Sequence, residues 1–138
     1  MSSIPVPATP RPPAGHAAAG QSRILATLYY RDRPFDDSFA DFFEREVRPV
    51  LTETGAAPLS CLQTEYAENT FPALPVRTGE NVFAWLARFA GPAHLASHLR
   101  QLEVSDTWHE QVLPALTATL SRPPQRLRLA PTARSLLR

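Results

Sequence analysis

The sequence predicts an α+β fold of the ferredoxin-like βαββαβ type, a four-stranded antiparallel sheet with helices on one face. The first observation behind this is an internal repeat. Glu46-Val47-Arg48-Pro49-Val50-Leu51-Thr52-Glu53-Thr54 is echoed by Gln111-Val112-Leu113-Pro114-Ala115-Leu116-Thr117-Ala118-Thr119, with five of nine positions identical. Extended without gaps, the alignment sets Phe43 over Trp108 and Pro58 over Pro123. The second and third observations are that each repeated helix is preceded by one apolar, strand-like run and followed by another. Each half then reads strand, helix, strand, and two such units in tandem make the fold.

Element by element, Ile24 to Tyr30 is rich in strand formers and stops at the polar turn Arg31-Asp32-Arg33-Pro34. From Phe35 the apolar residues fall at 35, 39, 42, 43, 47, 50 and 51, a helical stripe. Asp36, Asp37 and Asp41 lie near its positive end. Gly55 supplies the stop, and Pro49 predicts a kink or an early end. Leu59 to Tyr66 is the second strand. Asn81 to Phe89 is apolar on both faces except at Arg88, as a central strand covered on both sides requires. Gly91-Pro92 opens a helix with the buried stripe Leu95, Leu99 and Leu102. Ser105 or Thr107 caps the next helix, with Thr107 and Glu110 spaced for a capping box. A strand ending near Leu129 closes the domain.

The chain has 138 residues, enough for one domain that buries roughly two-thirds of its unfolded surface. We expect a disordered Pro/Ala-rich tail over 1–22, the folded domain over 23–130 and a C-terminal tail over 131–138. The formal net charge of +1 gives no reason to expect nucleic acid or an anionic membrane as a partner. No run approaches the ~20 apolar residues of a membrane span, and the proline-rich start lacks the apolar stretch of a secretory signal. The single Cys61 excludes an intramolecular disulfide and a Cys-based zinc site, which fits a reducing, cytoplasmic setting. Arginine is used to the exclusion of lysine, a coding bias expected of a GC-rich bacterial genome.

The strand at 81–89 leads on to quaternary structure. A ferredoxin-like sheet has helices on one face only, yet Val82, Ala84 and Leu86 on one side and Phe83, Trp85 and Phe89 on the other are all apolar. The chain has no spare element to cover the second face. A second copy would cover it, two sheets packing about a two-fold axis into a dimeric α+β barrel.

Several segments are similar to those of bacterial NIPSNAP-family proteins. They are Thr64-Glu65, Asn69-Thr70-Phe71-Pro72, Leu74-Pro75-Val76-Arg77, Gly79-Glu80-Asn81-Val82-Phe83-Ala84-Trp85 and the ending from Leu127 to Leu137. The resemblance spans residues 23 to 137 in linear order and carries no catalytic signature. It implies a homodimeric α+β barrel with no settled biochemical role, and no cofactor. The same superfamily includes cofactor-independent monooxygenases of the antibiotic-biosynthesis type. In these an Asn and a Trp on one barrel strand, with a nearby Arg, Tyr or His, handle a polyphenolic substrate. Asn81 and Trp85 resemble that pair, with Tyr29 and His98 as candidate partners. The chemistry is reasonable because an electron-rich phenol, once deprotonated and desolvated, reacts toward oxygen. The plainer reading makes Asn81 a turn residue and Trp85 part of a dimer core, and the residues favour it.

The ligand-binding candidates are Arg88, Trp85 and Phe83, for a small apolar or aromatic molecule. Arg88 is the polar interruption in its strand; buried, it would pair with a carboxylate such as Glu65, and in a cavity it would hold an anion. Arg126 and Arg128 alternate with Leu127 and Leu129 and read as a solvated edge that resists aggregation. His94 and His98 have the i, i+4 spacing of a metal pair but lack the Glu of the zinc-protease motif, so no metal is expected and both read as partly exposed flanks of a buried face. Cys61 lies in a strand that reads as core, where a thiol behaves as a small hydrophobe. With only five glycines and no phosphate-binding loop, nucleotide chemistry is not expected.

Overall fold

The computed structural model describes residues 21–66 and 80–135, and each of the four expected strands is present. The order is β1 (Arg23–Tyr30), α1, β2 (Pro58–Gln63), β3 (Val82–Phe89), α2 (Pro92–Glu103), α3 and β4 (Gln125–Leu129). Helix α1 runs through Asp37–Phe42, Phe43–Val47 and Arg48–Glu53 without a break, and α3 through Trp108–Val112 and Leu113–Thr117. The strands form one antiparallel sheet in the order β2-β3-β1-β4, the interleaving of two βαβ units that defines the ferredoxin-like fold. The chain is therefore α+β, as the repeat requires. The segments of the resemblance at 69–77, Gly79, the tail up to residue 20 and residues 136–138 lie outside the described residues. Ser22, at the end of the expected tail, is buried.

Register assigns every strand residue to a face. Thr27 pairs with Trp85 on one side and Arg126 on the other, so odd-numbered β1 and β3 residues share a face with the even-numbered residues of β4. That face lies under the helices. Its Leu25, Tyr29, Phe83, Trp85, Ala87 and Phe89 join Phe39, Phe43, Val47, Leu51, Leu95, Leu102, Val112 and Leu116 in one core. The opposite face carries Val82, Ala84 and Leu86, all half-buried, together with the exposed Leu62, Leu127 and Leu129. Trp85 thus belongs to the helix-covered core, not to the second face that the plainer reading gave it, because its odd number sets it beside Phe83 and Phe89.

Helix ends follow local chemistry. Asp36 caps α1, its Oδ1 accepting the Phe39 N–H at 3.0 Å. Gly55, at φ 108°, ends the helix in the left-handed region, and the Ala56 N–H closes back on the Leu51 carbonyl at 2.8 Å. Gly91 caps α2 with Pro92 in its first turn. Before α3, Ser105 Oγ accepts the Trp108 N–H at 3.2 Å and Thr107 makes no capping bond, so the Thr107–Glu110 box does not form.

The two prolines of the repeat do something that the sequence reading missed. Neither ends its helix. In each, the turn two residues ahead widens to a π-turn, at Phe43–Val47 before Pro49 and at Trp108–Val112 before Pro114. The Arg48 N–H reaches the Phe43 carbonyl and the Leu113 N–H reaches the Trp108 carbonyl, five residues back in both cases. A proline has no N–H to donate, and its ring crowds the carbonyl four residues earlier; the wider turn relieves both. The repeat is therefore one of backbone geometry as well as sequence.

Two further expectations are corrected. Cys61 is exposed, because β2 is an edge strand, and Arg48 approaches its sulfur at 3.4 Å. His98 is fully buried while His94 is exposed, since His98 falls at the middle of the i, i+3, i+7 stripe Leu95, His98, Leu102. Among the described residues no helix is long and apolar enough to cross a membrane.

Candidate functional site: a cavity between sheet and helices

The two halves of the repeat are not filled alike. In the first half Phe35 and Phe39 are buried and pack edge-on at 4.7 Å between centroids, with Phe39 and Phe43 also against Phe83. The aligned positions in the second half are Arg100 and Val104, and both are exposed. Phe43/Trp108, Val47/Val112 and Leu51/Leu116 are buried in both halves. The second half thus keeps the helical stripe and lacks the aromatic plug. A cavity of about 620 Å³ lies between the sheet and the helices α2 and α3 of this half, within the range of ~300–1,000 Å³ usual for small-molecule sites.

Its floor is the row Trp85, Thr27, Arg126 across three strands, flanked by Tyr29, Leu25 and Arg128. Its roof is His98, Leu99 and Leu102 from α2 with Trp108, Leu113 and Leu116 from α3, and Glu103 and His109 also line it. The π-turn of α3 supplies Trp108 and His109, the setting in which such turns often occur.

Three buried groups give the cavity chemistry. The Trp85 Nε1–H donates to the Tyr29 hydroxyl at 2.9 Å. Tyr29 accepts there, which leaves its own O–H to donate. Burial pushes its phenol well above the ordinary value, the Trp85 bond only partly opposing, so Tyr29 acts as a neutral donor. Thr27, 2 % exposed, presents a hydroxyl with no hydrogen-bond partner among the described residues.

His98 is the third. Its Nδ1 lies 3.2 Å from the Thr54 carbonyl and 3.1 Å from Thr54 Oγ1, which itself donates to the Val50 or Leu51 carbonyl at 2.9 and 3.1 Å. A carbonyl can only accept, and that hydroxyl proton is already committed to a carbonyl, so Nδ1 carries the imidazole proton. Nε2 then holds the lone pair, and it has no hydrogen-bond partner among the described residues. Burial holds the His98 pKa below its ordinary value; the Thr54 carbonyl opposes this, and the positive charge of Arg126 adds to it. His98 is thus neutral at pH 7, with a free basic nitrogen. Leaving such buried polar atoms unpaired costs ~1–3 kcal/mol each.

Of the sequence-predicted site residues, the cavity brings together Trp85, Tyr29 and His98. Asn81 stands apart at the start of β3, donating from Nδ2 to the Arg31 carbonyl at 3.3 Å. Phe83 lies within the aromatic plug, stacked on Tyr29 at 6.2 Å. Arg88 is exposed on the opposite face of the sheet, its strand partner being Ile24. The sequence reading missed Thr27, Trp108, Arg126 and Arg128 as cavity residues. Strand parity combined with the β1–β4 register would have found the arginines, but that register is not visible in the sequence. His94 Nδ1 accepts the Ala90 N–H at 3.3 Å, and among the described residues no three His, Cys, Asp or Glu side chains cluster.

No family model matches the chain, and no curated protein matches it in sequence. Solved structures do match in fold. A NIPSNAP family protein of unknown function from Agrobacterium tumefaciens superposes with a TM-score of 0.67 at 12% identity, over 86% of this chain and 96% of that one. A NIPSNAP-like domain protein from Burkholderia xenovorans gives 0.63 at 20% identity, over 84% and 90%. A proposed antibiotic biosynthesis monooxygenase from Nitrosomonas europaea is more distant, at 0.51 and 10% identity over 80% and 90%. The chain has the fold of the NIPSNAP proteins.

Proposed function

We propose that this chain, sharing the NIPSNAP fold, binds a small, largely apolar or aromatic molecule with a hydroxyl group in the cavity between sheet and helices, and does so as a homodimer. One observation carries the binding reading: Thr27 Oγ1 and His98 Nε2, both buried and both unpaired among the described residues, belong to walls of the same cavity. Native proteins pair nearly all buried polar atoms, and a ligand hydroxyl donating to Nε2 while accepting from the Tyr29 and Thr27 hydroxyls would complete the set. The indole rings of Trp85 and Trp108 and the leucines of the roof suit an aromatic body. The dimer reading rests on the half-buried Val82, Ala84 and Leu86 with the exposed Leu62, Leu127 and Leu129 on the opposite sheet face, an apolar surface that a second copy would cover.

Native mass spectrometry of the purified full chain, followed by denaturing release, tests both parts. A dimer carrying a stoichiometric small molecule is the expected result. A monomer would sink the dimer; absence of any bound molecule, with no heat of binding from a panel of hydroxylated aromatics, would sink the site.

A second reading, a cofactor-free monooxygenase or isomerase, is favoured by the protonation of His98. A neutral imidazole with its free nitrogen in an apolar cavity can take the proton of a phenol, and Tyr29 and Trp85 stand in the same walls. Oxygen uptake with hydroxylated aromatics, or their isomerisation, would be compared between the native chain and His98→Gln. No turnover, or turnover unaffected by the substitution, removes this reading and leaves binding intact.

A further inference from the structure

The cavity is not uniformly apolar. Arg126 and Arg128 are two residues apart on β4, and register sets them opposite Thr27 and Leu25, on the helix-covered face. Both line the cavity, and both are exposed, so they stand where it meets solvent. Neither enters an ion pair or a hydrogen bond among the described residues, although arginines elsewhere in the chain do. Arg48 holds Glu44 at 2.7 Å, and Arg122 holds Glu80 at 3.6 Å while covering the Tyr30 ring. Glu103 also lines the cavity, so two guanidinium charges and one carboxylate leave a local surplus of one positive charge. The side chains at the inner end are themselves uncharged: His98 is neutral and Tyr29 is a phenol, with the Arg126 charge reaching them from the mouth.

This division dictates how a ligand must lie. An anion driven to the deep end would lose its hydration against neutral groups, whereas at the arginines it keeps partial contact with water and gains two planar donors. A neutral hydroxyl has the opposite preference. From this we infer that the ligand is an aromatic hydroxy acid, bound with its hydroxyl inward at His98 and Tyr29 and its carboxylate outward at Arg126 and Arg128. This rests on the binding reading above and narrows it to one chemical class. A surplus of one positive charge suits a monoanionic carboxylate better than a dianionic phosphate. The row Trp85, Thr27, Arg126 gives the width of the floor: neighbouring strands are about 4.8 Å apart, so three strands make a floor roughly 10 Å across, room for a fused bicyclic ring.

The test uses the full chain and three matched probes in titration calorimetry: 6-hydroxy-2-naphthoate, 2-naphthol and 2-naphthoate. The hydroxynaphthoate should bind about tenfold more tightly than either molecule lacking one of its polar groups, a modest factor because the arginines are exposed. Its advantage over naphthol should shrink with added salt. In the double variant R126Q/R128Q, that advantage should fall below about twofold while naphthol keeps its native affinity. Both arginines are exposed, and circular dichroism with a thermal melt checks that the variant folds. The comparison among probes on the native chain stands whether or not it does. Equal affinity of naphthol and hydroxynaphthoate overturns the carboxylate assignment and leaves the cavity a binding site. Equal affinity of naphthoate and hydroxynaphthoate overturns the inward hydroxyl. If none of the three binds, both the inference and the binding reading fall.

Discussion

Replacing Tyr29 with Phe removes a single oxygen, and the structure says what that oxygen does. Tyr29 is 1 % exposed and Trp85 2 % exposed, and the indole N–H donates to the phenol at 2.9 Å. In Tyr29→Phe the N–H keeps its burial and loses its acceptor, a change that costs ~1–3 kcal/mol. A value of about 2 kcal/mol lowers Tm by roughly 5–12 °C for a chain of this size. The alkaline limb makes the prediction sharper. In the folded chain burial raises the Tyr29 pKa far above the unfolded value near 10. A group raised in this way contributes its stability fully below the unfolded pKa and loses it as pH rises toward the folded one. At pH 11 ionisation of the unfolded phenol favours the unfolded native chain by about 1.4 kcal/mol, a term that the Phe variant lacks. Urea unfolding followed by circular dichroism should therefore show the variant about 2 kcal/mol less stable at pH 8 and only about 0.6 kcal/mol less stable at pH 11. Every other group is common to the two proteins, and its contribution cancels in the difference. A deficit near zero at pH 8 would refute the hydrogen-bond argument; one that stays constant to pH 11 would refute the burial argument.

Three other substitutions probe separate parts of the fold. His98 is held below its ordinary pKa by burial, so its contribution is complete above about pH 6.5 and is lost as pH falls through the folded value. His98→Gln should lose less stability between pH 7 and pH 5 than the native chain in urea melts, and an equal loss would show that His98 does not titrate with unfolding. Gly55→Ala forces a Cβ into φ 108°, where the nearest side-chain atoms, at 3.7 and 3.9 Å, leave room, so backbone strain alone should cost ~1–2 kcal/mol; an unchanged Tm would show that the turn relaxes. Leu86→Arg places a charge on the face opposite the helices, where the side chain is half-buried in one copy of the chain. On the proposed dimer, light scattering should then report a folded monomer where the native chain gives a dimer; a persistent dimer would move the interface elsewhere, and a native monomer would remove it.

The Leu86 choice shows how sequence and structure divide the information. The alternation along residues 82–89 marked β3 as a strand with two apolar faces, but parity cannot say which face the helices take. Charges at Phe83 and Phe89 would have seemed a test of the dimer, yet these side chains are 4 % and 0 % exposed beneath the helices, and the variant would unfold first. His98 shows the same limit. Its i, i+4 relation to His94 is plain and Leu95 and Leu102 flank it on one stripe, but whether His98 or Leu99 turns fully inward is set by the rotation of α2 against the sheet. Asn81 and Trp85 share strand parity, and yet a strand end turns one toward Arg31 while the strand centre holds the other in the cavity wall.

The sequence alone determined the element order, the doubled βαβ plan, the caps at Gly55 and Gly91 and the central place of β3. These depend on periodicity, propensity and backbone restriction, which act over a few residues. Tertiary structure decided which sheet face the helices cover, that the prolines sit inside helices behind π-turns, and that Arg126, Thr27, Trp85, Tyr29 and His98 line one cavity. Those residues are up to about a hundred positions apart, and what joins them is the register of three strands and the volume left between the sheet and the helices α2 and α3. A cavity is a failure of distant side chains to fill space, and no local rule of sequence records it.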